Sequence, residues 1–372
     1  MNSMNTTNAT NTMNTTNTSV PMRATSFKEI FGQEKAIVFL KKVIANDKIA
    51  PGYLFTGIQG IGKTTTALAF ALSLNCKNPV DADGCRRCSF CKKIIDGNHP
   101  DLFIIEPDQD KKVIRIEQIR EINRHLAFSP VTGRYRIIII VPAEKMTGEA
   151  ANAFLKTLEE PPPRNILILN ARDPGDLLPT IVSRCQKVPF KPLPTEDIVN
   201  WLIKDGNMDK EKAKILARLS EGSLGEAITL ARDDLLANRV NWVNMLNSVI
   251  NRPSDILLDL AQKFSDPGKM KATNKKLKED RIALMLGIWK SWYRDMLLLK
   301  LGGTVDLILN SDLGNDCKKA STSYTVDGLI RSLAVIARAE HDLMTNKNLL
   351  FLLERSLFGL RRAASGQSGI LE

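Results

Sequence analysis

The sequence predicts an α/β domain on an open, mostly parallel sheet, followed by chain that is helical throughout. Short apolar and β-branched runs alternate with segments of helical period as far as Phe190. One strand-to-helix junction carries a glycine-rich loop ending in Gly62-Lys63-Thr64. After Pro192-Leu193-Pro194 no strand pattern recurs.

Residues 33–46 read as the opening helix. Residues 53–56 form a short strand, and 64–74 a helix with Ala67, Phe70, Ala71 and Leu74 on its apolar side. A second strand at 102–105 and a helix at 116–126 follow. Residues 136–141 are a β-branched run too apolar for a sheet edge, so a buried parallel strand is expected. Thr147 can cap a helix that runs to Glu159, with Ala151, Phe154, Leu155 and Leu158 at helical spacing. Pro161-Pro162-Pro163 stops it. Residues 166–170 and 187–190 complete the sheet. Beyond Pro194, residues 195–204, 210–220 and 225–232 read as short helices. The helices lengthen from Val240, and residues 326–362 carry long apolar ones.

The composition excludes some classes. With 43% hydrophobic and 25% charged residues in 372, the chain has an ordinary globular balance. No apolar run approaches the roughly 18 residues of a membrane helix, so no membrane span is expected. The N-terminus lacks the basic start and apolar stretch of a secretory signal. Lys and Arg outnumber Asp and Glu by 52 to 41, a net charge of +11 that permits contact with nucleic acid without requiring it. Residues 1–25 begin with an Asn/Thr tract that has almost nothing to bury and is expected to be disordered, with Met22 a second candidate start. The charged stretch 269–281 reads as a solvated linker.

Gly57-Ile58-Gln59-Gly60-Ile61-Gly62-Lys63-Thr64 fits the phosphate-loop pattern and lies between a strand and a helix, the context that pattern needs. Gly57, Gly60 and Gly62 let backbone N–H groups converge on phosphate oxygens, and the helix N-terminus adds partial positive charge. Lys63 would reach the β- and γ-phosphates and Thr64 would ligate Mg2+, so ATP with Mg2+ is the expected cofactor. Hydrolysis also needs carboxylates at the end of a neighbouring strand. Val141-Pro142 stands there instead, and neither binds metal nor polarises water. Glu144 lies two positions on, a shift that usually carries a side chain out of reach.

Four of the six cysteines, Cys76, Cys85, Cys88 and Cys91, lie within sixteen positions, whereas Cys185 and Cys317 stand alone. A secreted disulfide scaffold is smaller and denser in cysteine, so these four read as thiolate metal ligands in a reducing cytosol. A closed thiolate set suits structural Zn2+, with an iron–sulfur cluster as the chemical alternative. Arg86, Arg87, Lys92 and Lys93 would offset its negative charge.

The phosphate loop, the four-cysteine insert after its helix, Leu155-Lys156-Thr157-Leu158-Glu159-Glu160-Pro161-Pro162 and Ser183-Arg184-Cys185 occur in this order. Together with Gly32-Gln33 and Asn98-His99-Pro100-Asp101, that set resembles the bacterial clamp-loader family of the AAA+ class, the gamma/tau and delta-prime subunits of DNA polymerase III. The resemblance runs from about residue 26 to 235 and continues weakly toward the C-terminus. After the tail at 1–25, it implies an AAA+ nucleotide-binding domain at 26–191 with a zinc module at 76–91, a helical lid at 192–238 and a helical oligomerisation collar at 239–372. It also implies a bacterial cytoplasmic protein of the nucleoid-associated replisome. Its partners would be gamma/tau and delta subunits in a ring, the sliding clamp, and primed DNA held by backbone contacts.

By the same resemblance, Arg184 corresponds to the arginine finger that reaches a neighbour's ATP. Motor subunits of the family carry an Asp-Glu pair where this chain has Val141-Pro142, and a lid Arg where it has Gly225. Their first sensor maps near Ala171. These losses, with Arg184 retained, point to the delta-prime branch with little hydrolysis of its own. The alternatives are a gamma/tau-like motor and an unrelated nucleotide kinase, against which the cysteine insert and the helical C-terminal region argue. Arg115, Arg120 and Arg124 recur on one side of a predicted helix and face either DNA or solvent. His125 and His341 are expected in packing or surface roles, and Trp289 and Trp292 in the core or a subunit interface.

Overall fold

The structure, a computed structural model, describes residues 26–108, 112–232, 235–249, 252–265, 275–345 and 348–364. The Asn/Thr tail with Met22, and residues 269–274 of the charged stretch, lie outside the described residues. The chain divides into two compact units between Lys191 and Pro192.

In the first unit the order is α1 (Glu34–Ala45), β1 (Gly52–Thr56), α2 (Lys63–Asn75), α3 (Ser89–Ile95), β2 (Leu102–Ile105), α4 (Ile116–Leu126), β3 (Arg136–Ile140), α5 (Gly148–Glu159), β4 (Asn165–Ala171), α6 (Pro179–Ser183) and β5 (Gln186–Pro189). The strands form one parallel sheet in the order β2-β3-β4-β1-β5. Strands β1, β3 and β4 are buried at every position, as central parallel strands covered on both faces must be. Phe55 pairs with Asn170 and Ile140 with Leu169, so the C-terminal ends of β1, β3 and β4 meet at one edge of the sheet. Loops that follow strands at that edge are where open α/β sheets bind ligands.

Helices α4 and α5 bury Ile119, Ile122, Leu126, Ala151, Phe154 and Leu158 against the sheet. Fully burying a side chain such as Phe154 contributes about 1.5–3 kcal/mol. Thr147 caps α5, its Oγ1 accepting from the N–H of Ala150 at 3.2 Å. Helix α2 differs from the one-sided helix expected, because every residue from Thr66 to Asn75 is buried. It is covered all round, which an apolar stripe read at helical period cannot reveal.

Arg136 and Asp101 clamp the loop between α4 and β3. The Arg136 guanidinium donates to the carbonyls of His125, Phe128 and Ser129. The Asp101 carboxylate accepts from the N–H groups of Val131, Thr132 and Gly133 at 2.7, 2.8 and 2.9 Å. The two side chains, both buried, lie 3.4 Å apart.

The second unit contains α7 (Thr195–Lys204), α8 (Lys210–Leu219), α9 (Leu224–Arg232), α10 (Leu235–Val249), α11 (Ser254–Ser265), α12 (Lys275–Lys300), α13 (Gly314–Thr322), α14 (Val326–Met344) and α15 (Leu349–Ala364), with no strand among the described residues. Helix α14 packs on α12 and α15, and α15 on α11. Trp289, Trp292 and Tyr293 of α12 are wholly buried. The latter part of the charged stretch is not a linker, because α12 begins at Lys275. Its Lys, Leu and Glu residues are good helix formers, with no Gly before Gly287. No helix is long and apolar enough to cross a membrane.

Candidate nucleotide site and metal centre

Strand β1 ends at Thr56, and the phosphate loop follows it. Gly57 has φ +146°, and a Cβ there would lie 2.7 Å from the Phe190 carbonyl oxygen, so only glycine fits. Its N–H is held by the carbonyls of Ala171 and Arg172 at 3.3 and 3.1 Å. Gly62, with φ +102°, delivers the chain into α2. The Lys63 ammonium folds over the loop, donating to the carbonyl of Gly57 and, at 2.9 Å, to that of Ile58. Burial pulls the Lys63 pKa down to about 8; the Glu144 carboxylate opposes the shift and Arg172 adds to it.

Thr64, in the first turn of α2, has a buried partner one position before the expected Ala171. Asn170 Nδ2 donates to Thr64 Oγ1 at 3.0 Å, and Asn170 is buried. The polar residue facing the loop is therefore Asn170, one position before Ala171. The signal was present, since Asn170 is the only polar residue in the apolar run from Ile166 to Ala171. The chain leaves β3 through Val141-Pro142, which offers no metal ligand, and Glu144 follows in the single turn Ala143–Lys145.

The four cysteines come together at the end of α2. Cys76 follows the helix, Cys85 and Cys88 lie in the loop, and Cys91 is buried in α3. Their sulfurs all lie within 4.8 Å of one another. The N–H of Cys85 points at Cys76 Sγ (3.2 Å) and that of Cys88 at Cys85 Sγ (3.3 Å), bonds that favour thiolate over thiol. The N–H groups of Arg87 and Cys88 bring Cys85 down to about 6, whereas burial pushes Cys91 up. Convergent thiolates with N–H donors to sulfur fit a closed tetrahedral metal centre.

Asp83 ties this module to Ser26 and Phe27, the first described residues. Its carboxylate accepts from Ser26 Oγ, from the N–H of Phe27 at 3.1 Å and from that of Gly84 at 2.9 Å. Arg86 pairs with Glu29 at 2.5 Å.

Arg184 lies just past α6. Its guanidinium pairs with Glu159 at 2.8 Å and donates to the Thr180 carbonyl at 3.0 Å, and its side chain is 36% exposed. Its carbonyl oxygen would lie 3.4 Å from a Cβ on Gly52, at the start of β1, whereas the phosphate loop follows the end of that strand. Four residue steps at about 3.3 Å put roughly 13 Å of strand between the two places. The structure thus gathers Lys63, Thr64 and Asn170 around one loop, with Glu144 near enough for its charge to act on Lys63, gathers the four cysteines at a second place, and sets Arg184 at the far end of β1.

Arg115 is tied to Asp108, while Arg120 and Arg124 are exposed on α4. His125 packs its ring against Phe103.

A family model described as DNA polymerase III, delta subunit, matches residues 32–194. The chain is 30% identical over 339 residues to the delta-prime subunit of DNA polymerase III from Bacillus subtilis, covering 91% of this chain and 99% of that one. It is 37% identical over 184 residues to the delta-prime subunit from Pseudomonas aeruginosa, covering 49% and 55%. Against the tau subunit from Bacillus subtilis it is 34% identical over 236 residues, covering 63% of this chain and 39% of tau.

Proposed function

The chain belongs to the clamp-loader family of DNA polymerase III subunits, on its delta-prime branch, and we propose that it works there as a stator that completes a neighbour's ATP site with Arg184 and turns over little ATP itself. The observation that carries this reading is the asymmetry of the first unit. The phosphate loop is intact, Val141-Pro142 replaces the carboxylates that hydrolysis needs, and Arg184 sits exposed at the opposite end of β1. An arginine about 13 Å of strand away does not serve its own loop. Held by Glu159 and the Thr180 carbonyl, it is pre-oriented to offer a guanidinium to charge developing on a phosphoryl group across a subunit boundary.

The rest of the reading follows from family membership. The ring partners are gamma/tau and delta subunits, and the ring loads a sliding clamp onto primed DNA in the bacterial cytoplasm, at the replisome. The region at 192–238 serves as lid and 239–372 as oligomerisation collar. Gly57, Gly60, Gly62, Lys63 and Thr64 hold ATP with Mg2+. Cys76, Cys85, Cys88 and Cys91 hold a structural Zn2+, which organises the loop between α2 and α3 and leaves no ligand position for chemistry. Contacts to DNA are to its phosphates, so they weaken as salt rises.

The test is co-assembly with gamma/tau and delta on a sizing column, alongside steady-state ATP hydrolysis by the chain alone. Assembly without intrinsic turnover supports the reading. Turnover by the chain alone that disappears in Lys63→Ala transfers it to the motor class.

A further inference from the structure

Two buried oxygens have no hydrogen-bond partner among the described residues, Asn170 Oδ1 in the residue that contacts Thr64 of the phosphate loop and Glu144 Oε2 in the turn that follows β3. A buried acceptor without a donor is destabilising by about 1–3 kcal/mol, more when it is charged. Two of them at one edge of a site point to a ligand that satisfies both.

Separate elements place them. Asn170 lies in β4 opposite Phe55, with its amide nitrogen already on Thr64 Oγ1. Its oxygen is therefore the end of the side chain left for another partner. Glu144 lies in the turn after β3, and that turn packs on β4. Because Ile140 is in register with Leu169, the chain leaves β3 alongside Asn170. The Thr64 hydroxyl, the Asn170 carbonyl and the Glu144 carboxylate are all hard oxygen donors, the kind that suit Mg2+ rather than a softer metal.

We propose that Glu144 supplies the carboxylate that Val141 and Pro142 cannot, holding Mg2+-nucleotide at the loop either directly or through one of the waters that Mg2+ retains. The inference rests on the reading of the phosphate loop as an ATP site. It makes that site a Mg2+-dependent binding site rather than a hydrolytic one, since Glu144 stands without a second carboxylate from Val141-Pro142 to position water. Glu144 acts close to the loop, because its charge opposes the depression of the Lys63 pKa. Without the cation, that negative charge repels the nucleotide phosphates. With it, the same charge draws the metal–nucleotide complex in. Glu144 thereby makes nucleotide binding conditional on Mg2+.

The experiment is a titration of a fluorescent ADP analogue with the full-length chain, in Mg2+ and in EDTA. The proteins are wild type, Glu144→Gln, Glu144→Ala, Glu144→Asp and Lys63→Ala. Mg2+ should tighten wild-type binding, and Glu144→Gln should lose that enhancement by about 10–100-fold, the usual scale for a group that supports a bound metal. Its affinity in EDTA should hold or improve, because a repelling charge is gone. Glu144→Ala should behave in the same way, and Glu144→Asp should keep part of the enhancement. If the Gln and Ala variants keep the wild-type response to Mg2+, or if wild type shows no response, the inference is overturned. If wild type and Lys63→Ala both fail to bind, the phosphate-loop reading falls and takes the inference with it. Thermal unfolding of each variant establishes that it is folded.

Discussion

The amide of Asn170 donates a 3.0 Å hydrogen bond to the hydroxyl of Thr64, joining the end of β4 to the first turn of α2. This contact sets the rotamer of the residue that would ligate Mg2+ before any nucleotide arrives. Asn170→Ala should therefore weaken Mg2+-nucleotide binding while changing nucleotide-free stability by no more than about 0.5–1.5 kcal/mol, the net worth of one hydrogen bond. Equilibrium denaturation and nucleotide titration on the same variant separate the two effects.

Lys63 gives the site a pH dependence of definite sign. Its folded pKa is lowered by burial to about 8, below the ordinary value of 10.5. Between those two values the unfolded chain binds the proton and the folded chain has lost it, so nucleotide-free stability rises with pH across that window. Nucleotide affinity moves the other way, falling as pH climbs through 8, because the neutral amine attracts phosphate less. Calorimetry at pH 8.5 in buffers of different ionisation enthalpy should record proton uptake on binding, and Lys63→Arg should abolish it.

Asp101 and Arg136 make a prediction about the fold rather than the site. Burial pushes Asp101 upward, but the N–H groups of Thr132, Val131 and Gly133, with Arg136, outweigh it and hold the carboxyl below its ordinary range. Its contribution to stability is therefore complete above the unfolded carboxyl pKa and is lost as pH falls through the depressed folded value. Asp101→Ala, which takes the carboxylate from the buried Arg136 and the acceptor from the N–H groups of Val131, Thr132 and Gly133, should destabilise the protein by about 3–5 kcal/mol in urea or thermal unfolding at neutral pH.

The metal centre should prove structural. Cys91→Ser should lower the zinc found by elemental analysis and reduce the melting temperature without altering the residues around Lys63. Asp83→Asn leaves all four ligands in place but weakens the tie to Ser26 and Phe27. A loss of about 1.5–3 kcal/mol is expected, as for hydrogen bonds to a charged group, with zinc retained.

What could be read in the sequence follows from the length of each pattern. The isoleucines of β3 and the Ile119, Ile122 and Leu126 stripe of α4 repeat long enough to fix element type, and α4 runs from Ile116 to Leu126 as its period indicates. Helices α3 and α6 carry no such pattern. The first is a seven-residue helix whose sequence is read first as metal ligands and lysines, and the second is a five-residue turn between prolines and Arg184. The phosphate loop and the cysteines announce themselves by spacing. Asn170 shows only as the one polar residue of an apolar run and the orphaned oxygen of Glu144 not at all, because the role of each depends on which strands lie side by side. The opposition of Arg184 to the loop along β1 likewise appears only once the sheet is assembled.

The central claim is that this chain lends Arg184 to a neighbour instead of working its own site. The most direct test is ATP turnover by the loader reconstituted with gamma/tau, delta, clamp and primed DNA, with this subunit supplied as wild type, Lys63→Ala or Arg184→Ala. An arginine finger is worth about 10³–10⁵-fold at the site it serves, so Arg184→Ala should silence one neighbouring site and lower total turnover, with assembly intact. Lys63→Ala should leave turnover unchanged. Turnover that survives Arg184→Ala but falls with Lys63→Ala would contradict the account.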